Sequence, residues 1–169
     1  MRLVLGQDAA VADWVGRRIA HVGSGEAFGP CAAIGVAGEG GGVLGGVVFS
    51  NWQPGCRSIE VSFAAETPRW LTRRIIAGIL AYPFDQLGCQ RITAVTARRA
   101  RRVRRFLDLF GFKREGLVRQ GLGDDDAMIY GMLKREWRTS RWTRRRLESE
   151  TPLPDQMENV GMQTERLPM

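Results

Sequence analysis

The chain has 169 residues, of which 44% are hydrophobic and 25% are charged. This composition is typical of one globular domain with a tail, and it excludes collagen-like, coiled-coil and wholly disordered proteins. The three cysteines lie far apart without a CxxC pair, and His21 is the only histidine, so the sequence predicts neither a disulfide framework nor a metal site. No apolar run approaches the roughly 18 residues of a membrane helix, and Asp8 interrupts the apolar N-terminus. We therefore expect a cytoplasmic protein without membrane association.

Arginine dominates the charge of the chain, whose formal net charge is +7. Residues 147–169 hold five acidic residues and one arginine, which is −4, and this leaves +11 on residues 1–146. The arginines form three clusters, at 69–74, 98–105 and 135–146. Guanidinium groups pair bidentately with phosphate oxygens, so phosphate-bearing partners are one interpretation of these clusters. A solvated basic surface is the other.

Hydrophobic spacing divides the first half of the chain into short strands and one helix. After Asp8, which is a suitable helix cap, apolar residues recur at intervals of three and four. Valine-rich runs separated by glycines predict a hairpin, and a later segment with alternating apolar and polar residues is typical of a strand with one buried face. The predicted elements are a strand at 3–5, a helix at roughly 8–22, and strands at 31–36, 43–49 and 58–63.

The second half of the chain predicts further helices and strands. Pro68 suits the first turn of a helix that closes before Gly88, and the arginines of 98–105 lie opposite the apolar side of another helix that ends at Gly111. The remaining predicted elements are strands at 91–96, 116–119 and 127–133, a turn at 121–126, and a basic terminal helix within 134–147. This order indicates an α/β (α+β) layer around a mainly antiparallel sheet.

The composition also divides the chain into three parts. Residues 1–137 carry the α/β elements, and residues 138–147 form a basic C-terminal extension with helical character. Residues 148–169 contain prolines and scattered acids without hydrophobic periodicity. We expect this acidic tail to be flexible or to form an extended arm.

A set of short motifs follows the fourth strand in a fixed order. They are an aromatic stretch ending in Leu-Gly, then Arg-Ile, Gly-Phe, Glu-Gly and Glu-Trp pairs, at 80–88, 91–92, 111–112, 115–116 and 136–137. In this order and spacing the sequence resembles the GCN5-related N-acetyltransferases, especially the branch of the ribosomal-protein N-terminal acetyltransferases. The resemblance covers most of residues 1–137 and identifies them as an acetyltransferase-like domain. The Gly-Phe pair is equally explained as a helix-stop glycine followed by a core aromatic.

The resemblance implies a sheet of six to seven strands that is splayed between strands 4 and 5, with acetyl-coenzyme A as co-substrate in the gap. The pantetheine arm would then pair with the backbone of Ser62, Phe63 and Ala64. The pyrophosphate would sit on backbone N–H groups at the start of the next helix, where unpaired donors and the helix dipole favour an anion. That stretch supplies the cofactor-binding candidates Arg69, Trp70, Leu71, Thr72, Arg73 and Arg74.

The loop before this helix departs from the family's pattern. The family usually has glycines there, which let the backbone approach the phosphates, whereas this chain has side chains, including Trp70 and Thr72. This degenerate loop puts the affinity for the cofactor in question. Arg69, Arg73 and Arg74 offer compensation if they reach the phosphates themselves, and the alternative is that they are ordinary exposed residues.

The next helix departs from the pattern as well. Counted back from Gly111-Phe112, the family's asparagine falls on Ala100, and the tyrosine often used as general acid falls on Leu107. We include Ala100 and Arg105 among the cofactor-binding candidates. Two positions that carry function in the family are therefore altered in this chain.

Two residues are candidates for proton transfer in a direct attack of an amine on the thioester. Glu60 is the candidate base because it lies on the polar side of the fourth strand, and a surface carboxylate paired with arginine is the alternative. Tyr130 is the candidate acid near the closing strand, and a hydroxyl that only satisfies a core edge is the alternative. His21 and Ser24 would line the acceptor side, or they are loop residues without a chemical role.

Three functions stay open from the sequence. The first is an N-acetyltransferase acting on a protein N-terminus, a side chain or a small molecule, whose cationic rim favours an acidic acceptor or one presented on nucleic acid or the ribosome. The second is a catalytically degenerate domain of the same fold that binds nucleic acid or an acidic protein through 98–105 and 134–146. The third is a structural or assembly protein, such as a homodimer, that uses 148–169 as an interaction arm.

Overall fold

The computed structural model describes residues 1–143, which contain seven strands and four α-helices. The strands are β1 (Arg2–Val4), β2 (Cys31–Ala37), β3 (Val43–Gln53), β4 (Ser58–Ala65), β5 (Arg91–Ala97), β6 (Lys113–Leu122) and β7 (Asp125–Leu133). The helices are α1 (Asp8–Gly16), α2 (Arg73–Ala81), α3 (Arg101–Phe110) and α4 (Lys134–Thr139). Two 3₁₀ turns (Gly25–Phe28 and Pro68–Trp70) and a π-helical turn (Tyr82–Gln86) connect them.

The seven strands form one sheet in the order β1-β2-β3-β4-β5-β7-β6. All neighbouring strands are antiparallel except β4 and β5, which are parallel and are joined by the crossover through α2. The mixed, mainly antiparallel α/β sheet predicted from the sequence is therefore confirmed.

Both faces of the sheet are covered by helices. On one face, α1 packs through Val15 against Val48 of β3. On the other face, α2 and α3 enclose a larger cluster that includes Ile59 of β4 and Ile92 of β5. We call the first the α1 face and the second the helix face. Because the larger cluster contains both strands of the parallel pair, the junction of β4 and β5 lies beneath α2 and α3.

The first helix is shorter than predicted, since it ends at Gly16 rather than near residue 22. A Cβ on Gly16 would overlap the backbone of Ser24, and a Cβ on Gly25 would overlap the backbone of Asp13. The returning chain therefore packs directly on the helix backbone at two glycines. Residues 17–22 form turns and a bend instead of a further helical turn.

The helix predicted from Pro68 is interrupted near its start. Pro68–Trp70 forms a 3₁₀ turn, and Leu71 is extended at φ −108 and ψ 113. The α-helix begins at Arg73, because the Thr72 hydroxyl accepts a hydrogen bond from the Ile75 N–H at 3.3 Å and caps the helix.

The end of the described chain also differs from the prediction. The strands β6 and β7 continue through most of the predicted 121–126 turn and meet at Gly123-Asp124, and β3 extends to Gln53. The basic terminal helix stops at Thr139. Residues 144–147 of the predicted extension and all of 148–169 lie outside the described residues. Within residues 1–143, no helix is long and apolar enough to cross a membrane.

Candidate active site

The parallel strands β4 and β5 pair over only three rungs before they separate. Ser58 lies opposite Arg91, Ile59 opposite Ile92, and Glu60 opposite Thr93. Beyond these rungs β4 continues to Ala65 along β3, and β5 continues to Ala97 along β7. The facing edges of 61–65 and 94–97 therefore open into a wedge at the carboxyl ends of both strands. Main-chain donors and acceptors on such an edge are available to an extended ligand.

The predicted cofactor residues on β4 lie along this wedge. Phe63 pairs with Val47 of β3 on the helix face, whereas Ser62 and Ala64 point toward the α1 face. All three are half-buried. The open edge of β4 therefore presents its backbone between a wall of helices on one side and α1 on the other.

The start of α2 follows directly after the open end of β4. Its first-turn N–H groups have no helical partner, and the Thr72 cap satisfies that of Ile75. Arg69, Arg73 and Arg74 are exposed and form no salt bridge with any carboxylate of residues 1–143. The helix terminus and three unpaired guanidinium groups together make this end of the wedge favourable for an anion.

The side chain of Trp70 lies in the core of the protein. It is only 3% exposed, and its indole fills the space that Gly45 of β3 leaves open, since a Cβ on Gly45 would overlap the ring. Leu71 packs against the same cluster. The bulk of the Trp70 side chain is thus accommodated by a glycine on another strand. Only the backbone of Trp70 is left to line the loop before α2.

An aromatic pair spans the wedge on the helix face. The rings of Phe63 on β4 and Phe106 on α3 have centroids 5.0 Å apart, and Phe106 also contacts Phe110. Since α3 follows β5, this contact connects the two sides of the wedge. Phe106 is half-buried, so part of the ring is accessible to solvent.

Glu60 lies at the last rung of the β4–β5 ladder, on the α1 face. Its carboxylate accepts a hydrogen bond from Asn51 Nδ2 at 2.8 Å, and Asn51 Oδ1 accepts one from Gln53 Nε2 at 2.8 Å. Asn51 has φ 50 and lies where the β3–β4 register shifts between Ser50 and Gln53. The bulge therefore turns an amide toward the carboxylate at the apex of the wedge.

Tyr130 lies on the opposite face of the sheet from Glu60. It pairs with Ala94 of β5, whereas Glu60 pairs with Thr93, and consecutive residues of a strand point to opposite faces. Burial, with a smaller contribution from Asp108, raises the pKa of Tyr130, so its hydroxyl is protonated at neutral pH. The structure does not bring the candidate base and the candidate acid together on one face.

The candidates on α3 are a small residue and an exposed one. Ala100 immediately precedes the helix, and its N–H donates to the Ala97 carbonyl at 3.0 Å. Its side chain does not cap the helix. Arg105 is exposed, and Leu107 is fully buried in the helix-face cluster. Within residues 1–143, no group of three or more His, Cys, Asp or Glu side chains is placed to hold a metal ion.

Several solved acetyltransferase structures share this architecture. A chimera of spermidine N-acetyltransferase SpeG from Vibrio cholerae and hSSAT superposes with a TM-score of 0.64 at 15% identity, over 81% of this chain and 99% of that one. The dodecameric spermidine N-acetyltransferase from Vibrio cholerae gives 0.57 at 17% identity, over 69% and 77%. A "probable acetyltransferase" gives a TM-score of 0.56 at 23% identity. The match covers 63% of this chain and 63% of the length of that acetyltransferase. The chain has the fold of the GCN5-related N-acetyltransferases. No family model and no curated protein matches its sequence.

Sequence reasoning missed two residues at the wedge of this acetyltransferase fold. Phe106 is one of several apolar residues on α3, and nothing in its local sequence marks it as the partner of Phe63. Asn51 carries a weak signal, because asparagine is one of the few residues that readily adopts positive φ within a strand-like stretch. His21, which is exposed, and Ser24 lie in the segment between α1 and the first 3₁₀ turn.

Proposed function

We propose that the chain is an N-acetyltransferase that moves an acetyl group from acetyl-coenzyme A to an amine. The observation that carries this proposal is the loss of pairing between β4 and β5 after Glu60 and Thr93. A thioester carrier with an extended arm needs such a free strand edge, and a phosphate-rich end needs the neighbouring helix terminus and its arginines. The chain then belongs to the acetyltransferase family whose fold it has.

In this proposal the residues of the wedge bind and orient the co-substrate. The backbone of Ser62, Phe63 and Ala64 pairs with the pantetheine arm, and the first-turn N–H groups of α2 receive the pyrophosphate. Arg73 and Arg74 supply by their side chains the contacts that a glycine-rich loop would make by close backbone approach. Acetyl-coenzyme A supplies the activated acetyl group, and no acyl-enzyme forms.

Proton transfer in this proposal is assigned to Glu60. The amine nitrogen forms a bond to the thioester carbonyl carbon, the carbon–sulfur bond breaks, and the amine proton passes to Glu60 directly or through water. Asn51 holds one carboxylate oxygen of Glu60, so the other oxygen is left for the amine. Tyr130 keeps its proton at neutral pH, and we propose that it donates to the departing thiolate from the helix face, opposite the face on which Glu60 accepts the amine proton.

The charge of the chain favours an acidic or neutral acceptor. Residues 1–146 carry +11, and a field of this sign repels cations and concentrates anions. Spermidine, the substrate named for two of the similar structures, is a polycation and is disfavoured here. We propose an acidic protein N-terminus or an amine presented on the ribosome or on nucleic acid, as in the ribosomal-protein branch that the sequence resembles. A cytoplasmic location fits these acceptors, and a homodimer is proposed in line with the dodecameric relative.

A second candidate is a degenerate domain that binds nucleic acid or an acidic protein without catalysis. The absence of loop glycines, the alanine at Ala100 and the Phe63–Phe106 contact across the wedge favour it. Nucleic-acid binding by arginines falls steeply with salt, because each neutralised phosphate releases counterions. Binding of acetyl-coenzyme A involves only the few phosphates of one ligand and depends less on salt.

Calorimetric titration of the full chain with acetyl-coenzyme A at moderate salt tests the proposal. We expect micromolar binding that weakens about fivefold or more in Arg73→Ala and in Arg74→Ala, since each loses a charge-assisted contact. The matched control is Arg138→Ala, because Arg138 is exposed on α4, which follows β7 at the end of the sheet opposite the wedge. If titration of the parent protein with acetyl-coenzyme A gives no heat of binding, the proposed acetyltransferase activity is refuted. If the parent binds, release of free thiol with an acidic N-terminal peptide, compared with spermidine, tests the acceptor class.

A further inference from the structure

A second cleft of about 700 Å³ lies between α3 and the β6–β7 hairpin. Its floor is Leu117 of β6 and Met128 of β7, which lie opposite each other on the helix face. The wedge lies between β4 and β5, whereas β7 and β6 lie beyond β5 in the sheet. In the sheet, β5 therefore lies between the wedge and the strands of the cleft, and the acetyl transfer proposed above assigns no role to the residues that line it.

Five arginines and three aspartates line this cleft, so the positive charges outnumber the negative ones. Arg98 pairs with Asp126 at 3.1 Å, and Arg99 pairs with Asp125 at 3.1 Å and also donates to the Asp124 carbonyl at 2.8 Å. These contacts hold the hairpin turn against the segment before α3. Two of the three aspartates are therefore already engaged.

The other three arginines have no such partner. Arg101 and Arg104 on α3 and Arg114 on β6 form no salt bridge with any carboxylate of residues 1–143. Arg114 lies opposite Tyr130 of β7, so it rises from the same face that α3 covers. Three guanidinium groups thus line the cleft without a salt bridge, and Asp124 is the one carboxylate of the lining that forms no salt bridge within residues 1–143.

The clearest sign of a missing acceptor is Arg104. Its Nε–H is almost completely buried and has no hydrogen-bond partner within residues 1–143, although the side chain as a whole is half-buried and lines the cleft. A buried donor on a charged group is unfavourable unless an acceptor is supplied. An oxyanion in the cleft would supply it, because a guanidinium donates through Nε and a terminal nitrogen together to two oxygens of one group.

We propose that this cleft binds a small phosphate monoester, with its phosphate on Arg101, Arg104 and Arg114 and its organic body on Leu117 and Met128. A dianion with three oxygens matches three guanidinium forks better than a single carboxylate does. The apolar floor favours an ester over inorganic phosphate, and the volume is in the range of small-molecule sites, roughly 300–1,000 Å³. The site is independent of the cofactor wedge.

Titration of the full chain with phenyl phosphate, inorganic phosphate and phenol tests the charge and the apolar floor separately. We expect phenyl phosphate to bind about fivefold more tightly than inorganic phosphate, and phenol not to bind at all. Arg114→Gln and Arg104→Met should each weaken phenyl phosphate about tenfold. Leu117→Ser should remove the preference for the ester and leave the binding of inorganic phosphate unchanged.

Two controls distinguish binding in this cleft from diffuse charge attraction and from binding in the wedge. Arg102→Gln removes an exposed arginine of the same helix that does not line the cleft, and it should change the affinity less than twofold. Saturating coenzyme A should leave the affinity for phenyl phosphate unchanged. The proposal is overturned if Arg102→Gln and Arg114→Gln weaken binding equally, which indicates diffuse attraction, or if coenzyme A abolishes binding, which places the probe in the wedge. Tighter binding of a single-stranded oligonucleotide with equal losses in all arginine variants would instead favour a nucleic-acid surface and would also overturn it.

Arg104→Met also has a readout that does not depend on any ligand. Since the substitution removes an unsatisfied buried donor and keeps an unbranched side chain of similar reach, the free protein should melt at the same temperature or higher. A clear loss of thermal stability in Arg104→Met would show that the group has a partner in the free protein, which contradicts the proposal.

Discussion

Phe63 on β4 and Phe106 on α3 meet across the opening between the parallel strands, with ring centroids 5.0 Å apart. The two residues belong to opposite sides of the wedge, because α3 continues from β5. An extended ligand that enters from the helix face must therefore displace the half-buried Phe106 ring or pass beneath it. The contact therefore narrows the wedge on the helix face.

Phe106→Ala should tighten the binding of acetyl-coenzyme A several-fold, because displacing the ring no longer costs the aromatic contact, worth about 0.5–1.5 kcal/mol. Calorimetry measures the affinity, and a thermal melt should show a loss of roughly 2 kcal/mol from truncating a half-buried ring. Val103→Ala on the same helix is the control, since Val103 is 38% exposed and takes no part in the aromatic contacts. Weaker binding in a folded Phe106→Ala protein would mean that the ring contacts the cofactor instead of excluding it.

Asn51→Gly should lower the rate of acetyl transfer roughly tenfold, because Glu60 loses the amide that orients its carboxylate. Glycine accepts the positive φ of this position, so the backbone of the bulge is kept and stability changes little. The decisive measurement is a double-mutant cycle with Glu60→Gln, in which Asn51→Gly should have no further effect on kcat/KM. Additive losses would show that Asn51 acts elsewhere.

The features that the sequence predicts correctly are local. The alternation of Ile59, Val61 and Phe63 predicts β4, and Gly111 ends α3 as expected, with φ 110 and its N–H on the Leu107 carbonyl. Both patterns depend only on residues that are close together along the chain. The sequence resemblance also predicts the opening between the fourth and fifth strands.

The features that the sequence does not predict depend on residues that are distant along the chain. Trp70 lies in the loop where the family pattern has glycines, and the space for its indole comes from Gly45 on another strand. The end of α1 depends on a contact between Gly16 and the backbone of Ser24, which no helical periodicity reveals. The contact of Phe63 with Phe106 likewise requires the relative position of β4 and α3.

Gly45→Ala should destabilise the protein by about 1–3 kcal/mol, since the new methyl group overlaps the buried indole of Trp70 and forces it to move. Urea unfolding measures the change. The control is Gly55→Ala, where the added methyl group meets nothing within 4 Å. Combination of Gly45→Ala with Trp70→Leu should recover part of the loss, because the smaller side chain leaves room for the methyl group. A Gly45→Ala protein as stable as Gly55→Ala would contradict the packing of Trp70 on β3.

Asp126→Asn should make the stability of the protein less dependent on pH in the acid range. The pKa of Asp126 is lowered from the usual 3.8, chiefly because its carboxylate accepts a hydrogen bond from the Gln120 N–H and one from Arg98. As the pH falls, the unfolded chain therefore takes up this proton before the folded chain does. The contribution of Asp126 to the free energy of unfolding is fully present above about pH 4, and it is lost as the pH falls through the lower pKa of the folded state. Urea unfolding between about pH 6 and pH 2 should show a smaller decline in Asp126→Asn than in the parent, whereas Asp85→Asn, at an exposed carboxylate of the π-helical turn, should follow the parent. Parallel curves for the parent and Asp126→Asn would mean that the Arg98–Asp126 contact does not persist in solution. The cleft between α3 and the β6–β7 hairpin would then lack one of the pairs that hold the hairpin turn in place.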